Sequence, residues 1–196
     1  LEIHNIADQI TGRGHDYHCR IYDLEECISS RKLSAMMQLP YKTNLFHSIL
    51  VHHESGTPIQ YEDRYVNPKF APEYMEQDFS LHTPNEYLTK SAPLTAADHL
   101  VEAVCVSSEI ANCLEIEVAD PCLKLTRKTW CKQGVVSLAY LIHPGKRYRL
   151  GNHLVSEETH FKRGINVNNR LDNSRRIKAA TGSTLSAKSW QTEAPL

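Results

Sequence analysis

The chain has 196 residues, is 41% hydrophobic and 23% charged, and carries a net charge of -1. That composition is ordinary for a soluble globular protein, and the length suffices for one well-formed domain with something added. It excludes a membrane-spanning helix, because no run approaches the roughly 18 to 20 apolar residues a bilayer requires, and the opening LEIHNIADQI lacks the basic stretch of a secretory leader.

In chain order, Leu1, Ile3, Ile6, Ala7 and Ile10 recur at helical spacing, and Gly14 is placed to end that helix. A short strand is expected over Tyr17 to Leu24. Ser29-Ser30 offers an N-cap to RKLSAMMQL, a short helix stopped at Pro40. From about Asn44 to Tyr65, two period-two runs flank Ser55-Gly56-Thr57-Pro58, which predicts a β-hairpin. Pro68, Pro72 and the acidic stretch around Glu76 and Asp78 predict a loop with one helical turn. Thr83-Pro84-Asn85-Glu86 predicts a helix start: Thr as N-cap, Pro at the first helical position, and Glu three residues after Thr as in a capping box. That helix is expected to end near Lys90.

Leu100 to Val106 reads as a strand, and Ser107-Ser108-Glu109 as the cap of a short helix running to about Leu114. After a turn at Asp120-Pro121, Leu123 to Trp130 and Val135 to Ile142 form a second hairpin around Lys132-Gln133-Gly134, closed by Pro144-Gly145. Hairpins alternating with short helices predict an α+β fold around a twisted antiparallel sheet, since parallel crossovers need longer helices between strands.

The domain is expected over residues 1–152. Residues 153–196 form a polar, basic tail without sustained periodicity, expected to be disordered. From Val155 onward the chain holds 7 of its 22 Lys and Arg but only 4 of its 23 Asp and Glu. Such a tail suits nucleic-acid contact or is an extension of cloning origin or of reading past the natural end, and the latter pair is the preferred expectation. The mildly acidic remainder is no obvious DNA-binding surface, and no helix-turn-helix with a basic second helix is visible. Six cysteines occur without a C-x-x-C pair, so they are expected to be reduced thiols in a cytoplasmic protein rather than a zinc or disulfide framework.

The chemistry concentrates on the second arm of the first hairpin. Gln60, Glu62 and Arg64 share one strand face, with Tyr61 and Tyr65 on the other. Arg64 offers a guanidinium fork to a carboxylate and Glu62 an acceptor to a ring N–H; a solvated cross-strand pair is the plainer alternative. The helix start at Thr83 attracts anions, though a simple cap explains it as well. Tyr140 and Tyr148 are candidate cavity walls or ordinary buried tyrosines. His47 and the other strand histidines lack the spacing of a metal site, so no metal and no cofactor is expected.

The segments RGHDYHCRI, LFHSILVHHESGTPIQYEDRYVNPKFAPEYMEQDF, TPNEYL, ADHLVEAV and YLIHPGKRYRL occur in that order. Together they resemble the UTRA effector-binding domain of GntR-superfamily transcription regulators, and most of all the histidine-utilisation repressors. The resemblance covers about three quarters of the chain. It implies a chorismate lyase-like fold, a cytoplasmic homodimer and a non-enzymatic role as repressor domain. It also implies that DNA is reached only through a preceding winged helix-turn-helix domain, which this chain is expected to lack. Where sugar-phosphate-sensing members carry arginines, this chain has His47, Ser48, Leu50 and His52, and it has Ser137 where they place a glutamate. A phosphorylated ligand is thus disfavoured, and the resemblance implies urocanate or a related imidazole carboxylate, with Arg64, Glu62, Thr83, Tyr140, Tyr148 and His47 as the candidate site. The other readings are a lyase acting on a small unsaturated carboxylate, which would turn its ligand over, and a pure dimerisation module, which would bind none.

Overall fold

The SGTP cluster makes the turn that organises the sheet. In the computed structural model, which describes residues 5–150, strands β2 (Asn44–Glu54) and β3 (Thr57–Val66) pair antiparallel across Ser55 and Gly56. Ser55 has φ 47° and Gly56 φ 85°. Left-handed backbone at both central positions matches the twist of the flanking strands, and glycine adopts it without a Cβ penalty.

The second expected hairpin is β5 (Cys122–Cys131) and β6 (Gly134–Pro144). With β1 (Tyr17–Ile28) and β4 (Ala96–Val104) it completes one six-stranded sheet in the order β1-β2-β3-β6-β5-β4, every neighbouring pair antiparallel. The α+β expectation holds. Two strands differ from it in extent. β1 runs on to Ile28 and β4 starts four residues before Leu100. Both are edge strands with weak alternation of burial, so ladder hydrogen bonds rather than an apolar face extend them.

The helices are short and capped as their sequences require. Asn5, Ser30, Thr83 and Ser107 each accept a backbone N–H at the start of α1 (Ile6–Gly12), α2 (Arg31–Met37), α3 (Pro84–Ser91) and α4 (Ser108–Leu114). The helical turn expected in the acidic loop is a 3₁₀ turn at Tyr74–Glu76. α2 ends earlier than Pro40, at left-handed Gln38.

Period-two alternation divides the sheet into two faces. One carries Val51, Tyr61 and Ile142 under α4, and Leu45, Val135 and Leu138 against Met37 of α2. The other carries Phe46, Leu50 and Val66, roofed by Tyr74 and Phe79 from the loop after β3 and by Leu88 of α3. Beyond Pro144, the Arg147 guanidinium donates to the carbonyls of Pro58, Leu114 and Glu115 at 2.7, 2.6 and 2.9 Å, which pins the segment carrying Tyr148. All six cysteines are free. The tail expected from residue 153 lies outside the described residues, and among those residues no helix is long and apolar enough to cross a membrane.

Candidate functional site

The roofed face is unusual for what it buries. Gln60, Glu62 and Arg64, which sequence alone leaves open between a ligand site and a solvated strip, are 4%, 4% and 2% exposed. Arg64 Nε donates to Glu62 Oε1 at 2.6 Å and Nη1 to Ser137 Oγ at 3.2 Å, while Gln60 donates to Glu62 Oε2 at 3.4 Å. Ser137 also meets Thr129 at 2.8 Å, and Ser48 bonds the Tyr74 hydroxyl at 2.7 Å. Burial penalises the Glu62 carboxylate, but Arg64 and His52 more than offset it and hold the group ionised far below its ordinary range.

His52 is fully enclosed. Its Nδ1 meets the Tyr17 hydroxyl at 2.9 Å, and the two rings stack. Its Nε2 lies 3.4 Å from Glu62 Oε2 without hydrogen-bond geometry and has no partner. Burial opposes its charge, yet Cys19 and Glu62 outweigh burial and raise it to about 9. His143, on the same face of β6, is 3% exposed, and its Nδ1 is the other unpartnered buried polar atom among the described residues. Burial, followed by Arg127 and His52, pushes His143 down to about 3 against a backbone contact from Ile59. The Tyr148 ring stacks on it at 3.8 Å.

The structure thus brings Glu62, Arg64 and Tyr148 to one side of the sheet. Thr83 is on that side, at the start of α3, but its hydroxyl is occupied. It accepts from Glu86 N at 3.1 Å and donates to Asn5 Oδ1 at 2.9 Å. Only half of the expected capping box forms, because the Glu86 carboxylate goes to Lys90 and His82. A cavity of about 510 Å³ opens nearby, between α1 and the outer side of α3, lined by Asn5, Asp8, Gln9, Asn85, Glu86, Thr89 and Lys90.

His47 and Tyr140 do not join the group. They alternate in the opposite phase and lie on the face of α2 and α4, because Asp63, which pairs with Tyr140 across β3 and β6, points away from Glu62 and Arg64. There His47 bonds Asp63 at 2.9 Å and stacks on Tyr65, and the Tyr140 hydroxyl meets Met36 Sδ at 3.5 Å. Asp23, Glu25 and His47 bring ligand-type atoms within 4.8 Å of one another on that face.

Sequence reasoning passed over Arg127 and read His143, with the other strand histidines, as structural. Arg127 is 9% exposed and shares the face of Arg64. The signal was present in LKLTRKTW: Arg127 is in phase with Leu125 and Thr129, which are buried, whereas Lys124 and Lys128 are in the other phase and half-buried.

The fold sets the class: an α+β domain on one antiparallel six-stranded sheet, with buried charge on one face. The family model of the UTRA domain matches residues 12–149, and the chain belongs to that family. The histidine utilization repressor of Pseudomonas putida is 44% identical over 150 residues, 76% of this chain and 60% of that protein. The histidine utilization repressor of Klebsiella aerogenes is 42% identical over 150 residues, 76% of this chain and 62% of that protein. The chain therefore spans about three fifths of the length of these curated relatives. The crystal structure of the C-terminal domain of the histidine utilization repressor from Pseudomonas syringae pv. tomato aligns with a TM-score of 0.69 at 38% identity, over 71% of this chain and 99% of that one. The effector domain of PhnF from Mycobacterium smegmatis aligns at 0.68 with 12% identity, over 75% and 92%, a likeness of fold alone.

Proposed function

We propose that this chain is the effector-binding and dimerisation domain of a transcriptional repressor of histidine utilisation, and that it senses urocanate or a related imidazole carboxylate without chemical turnover. The relatives' names supply the regulatory context. The observation that carries the ligand reading is the buried Glu62–Arg64 pair, in which Nε and Nη1 are engaged and Nη2 has no partner among the described residues. A carboxylate suits that free edge of the guanidinium. An imidazole N–H suits Glu62 Oε2, beside the unpartnered Nε2 of His52. Tyr148, held flat on His143, suits the conjugated plane of the ligand. The α3 start at Thr83 is a further candidate for the anion's surroundings; His47 and Tyr140 are not assigned to this site.

In this reading the domain works in the cytoplasm as a homodimer, and operator DNA is contacted by a winged helix-turn-helix domain outside these residues. Calorimetric titration with urocanate, histidine, imidazole propionate and a sugar phosphate is the test. Saturable binding of urocanate or imidazole propionate, with the ligand recovered unchanged, is expected. Binding of the sugar phosphate alone rejects the carboxylate reading, and consumption of urocanate points to a lyase. Sedimentation at micromolar concentration checks the dimer, which a monomer would overturn.

A further inference from the structure

Glu62 and Arg64 neutralise each other, but the buried face holds more positive charge than that pair accounts for. Arg127 is nine-tenths buried and makes one hydrogen bond, from Nε to His99 Nε2 at 2.9 Å. No carboxylate pairs with it among the described residues. A buried guanidinium without a paired counter-charge is costly on general grounds, and in the described fold only Glu62, already paired with Arg64, and Tyr148 ease that cost. Burial, followed by the nearby Arg64, lowers Arg127 to about 10 against the opposing pull of Glu62 and Tyr148.

The sheet register says where the missing anion belongs. Arg64 pairs with Ala139, and Ala139 pairs with Arg127. The two arginines therefore stand in one row, on one face, with a single methyl between them. Strand spacing puts their Cα atoms about 10 Å apart, a gap that two long side chains close onto a carboxylate. Ser137 lies one step along β6, already bonded to Arg64, and Leu141 lies one step the other way. Beyond it sit His143, with its unpartnered Nδ1, and Tyr148 stacked upon it.

We infer that Arg127 is a second anion anchor: a carboxylate-bearing ligand lies over Ala139 between Arg64 and Arg127, and Arg127 makes the site select charged over neutral ligands. The inference rests on the reading that this face takes the effector, and it assigns to Arg127 the discrimination that the Glu62-bound Arg64 supplies only in part. His99 is a positioning residue in this arrangement, engaging Nε and leaving the terminal amino groups of Arg127 outside that bond.

The test compares the full chain with Arg127→Met and Arg127→Lys by melting curves and calorimetry, using urocanate and its methyl ester as probes. A residue retained only for stability lowers the melting temperature when replaced and leaves the preference for acid over ester untouched; that pair of results overturns the inference. An anion anchor gives the reverse. The unliganded Met variant melts at or above the parent temperature, urocanate binds roughly ten- to a hundredfold more weakly, and the preference for the acid shrinks by the same factor. Arg127→Lys falls between, keeping charge without the fork. If the Met variant melts lower, the preference decides alone. If urocanate fails to bind the parent chain, the urocanate reading falls, and the inference is judged with acetate, benzoate and inorganic phosphate. A rise in parent melting temperature that Arg127→Met abolishes upholds it, and no rise with any anion overturns it.

Discussion

The two faces of the sheet are built from the same strands and answer to different demands. Under α2 and α4 the buried residues include Leu45, Val51, Val135, Leu138 and Ile142, and the buried His47 pairs there with the half-buried Asp63. On that face burial is mainly apolar, and the Asp63 carboxylate keeps part of its contact with water. On the other face the same alternation buries Glu62, Arg64, Arg127, His52 and His143. Buried charge is at best neutral for stability beside well-packed apolar residues of similar volume. Among the described residues both faces bury an apolar core, but only the roofed face buries a carboxylate and two guanidinium groups within it.

The largest way to break the comparison is to orphan a charge. Arg64→Ala leaves the Glu62 carboxylate buried without its 2.6 Å partner, and urea unfolding is expected to show a loss of about 3 to 5 kcal/mol. The double variant Glu62→Leu with Arg64→Met should recover most of that loss while abolishing urocanate binding. A double variant no more stable than Arg64→Ala would mean that the pair holds the fold together, and the distinction between the faces would fail. Because Arg64→Ala disturbs folding, binding measurements on it need melting curves beside them.

The two buried histidines sharpen the contrast through pH. The folded state raises His52 from 6.5 to about 9, so its contribution is fully present below pH 6.5 and lost as pH rises through 9. The folded state lowers His143 from 6.5 to about 3. Between those values the unfolded chain binds the extra proton, so stability rises with pH over that window. Together they predict a maximum near pH 6.5, with an alkaline limb of about 3 kcal/mol and an acid limb of about 5 kcal/mol before other groups are counted. His52→Gln should flatten the alkaline limb and His143→Gln the acid limb. His47, raised against its burial by Asp63 and Glu25, should contribute to the alkaline limb in the same direction as His52, and its replacement should leave the acid limb unchanged.

How much of this was legible follows from the range of each interaction. The caps at Ser30, Thr83 and Ser107 and the turn at Ser55-Gly56 are local, and the residues declare them. Parity within a strand is local too, which is why Gln60, Glu62 and Arg64 were grouped correctly. What the sequence does not carry is the register between strands distant in the chain. Tyr140 pairs with Asp63 rather than with Glu62 or Arg64, and only that register shows it to be on the far face. Arg127 meets Arg64 across β6, 63 positions along the chain and through strand pairings that no local pattern announces. Edge strands β1 and β4 differ from their expected extents because neither buries a regular apolar face that would mark its ends in the sequence.

A smaller effect tests the α3 start. Thr83→Ala removes the acceptor for Glu86 N and the donor to Asn5. Loss of an N-cap costs about 1 kcal/mol, read as a lower urea midpoint. Urocanate affinity should stay within twofold if the Thr83 hydroxyl serves only as cap; a larger loss with little change in midpoint would place the anion at the helix start.

The smallest expected effect is the cleanest check on the division of faces. Tyr140 is half-buried, and its hydroxyl reaches only a thioether sulfur, a weak acceptor. Tyr140→Phe keeps the ring in its packing against α2 and deletes that contact, so stability should change by less than about 0.5 kcal/mol. Urocanate should bind as it does to the parent chain, because the sheet itself separates Tyr140 from Arg64. A tenfold loss of affinity in a variant that melts normally would mean the effector is held on the face of α2 and α4, among Tyr65, Tyr140 and His47, and the roles of the two faces would have to be exchanged.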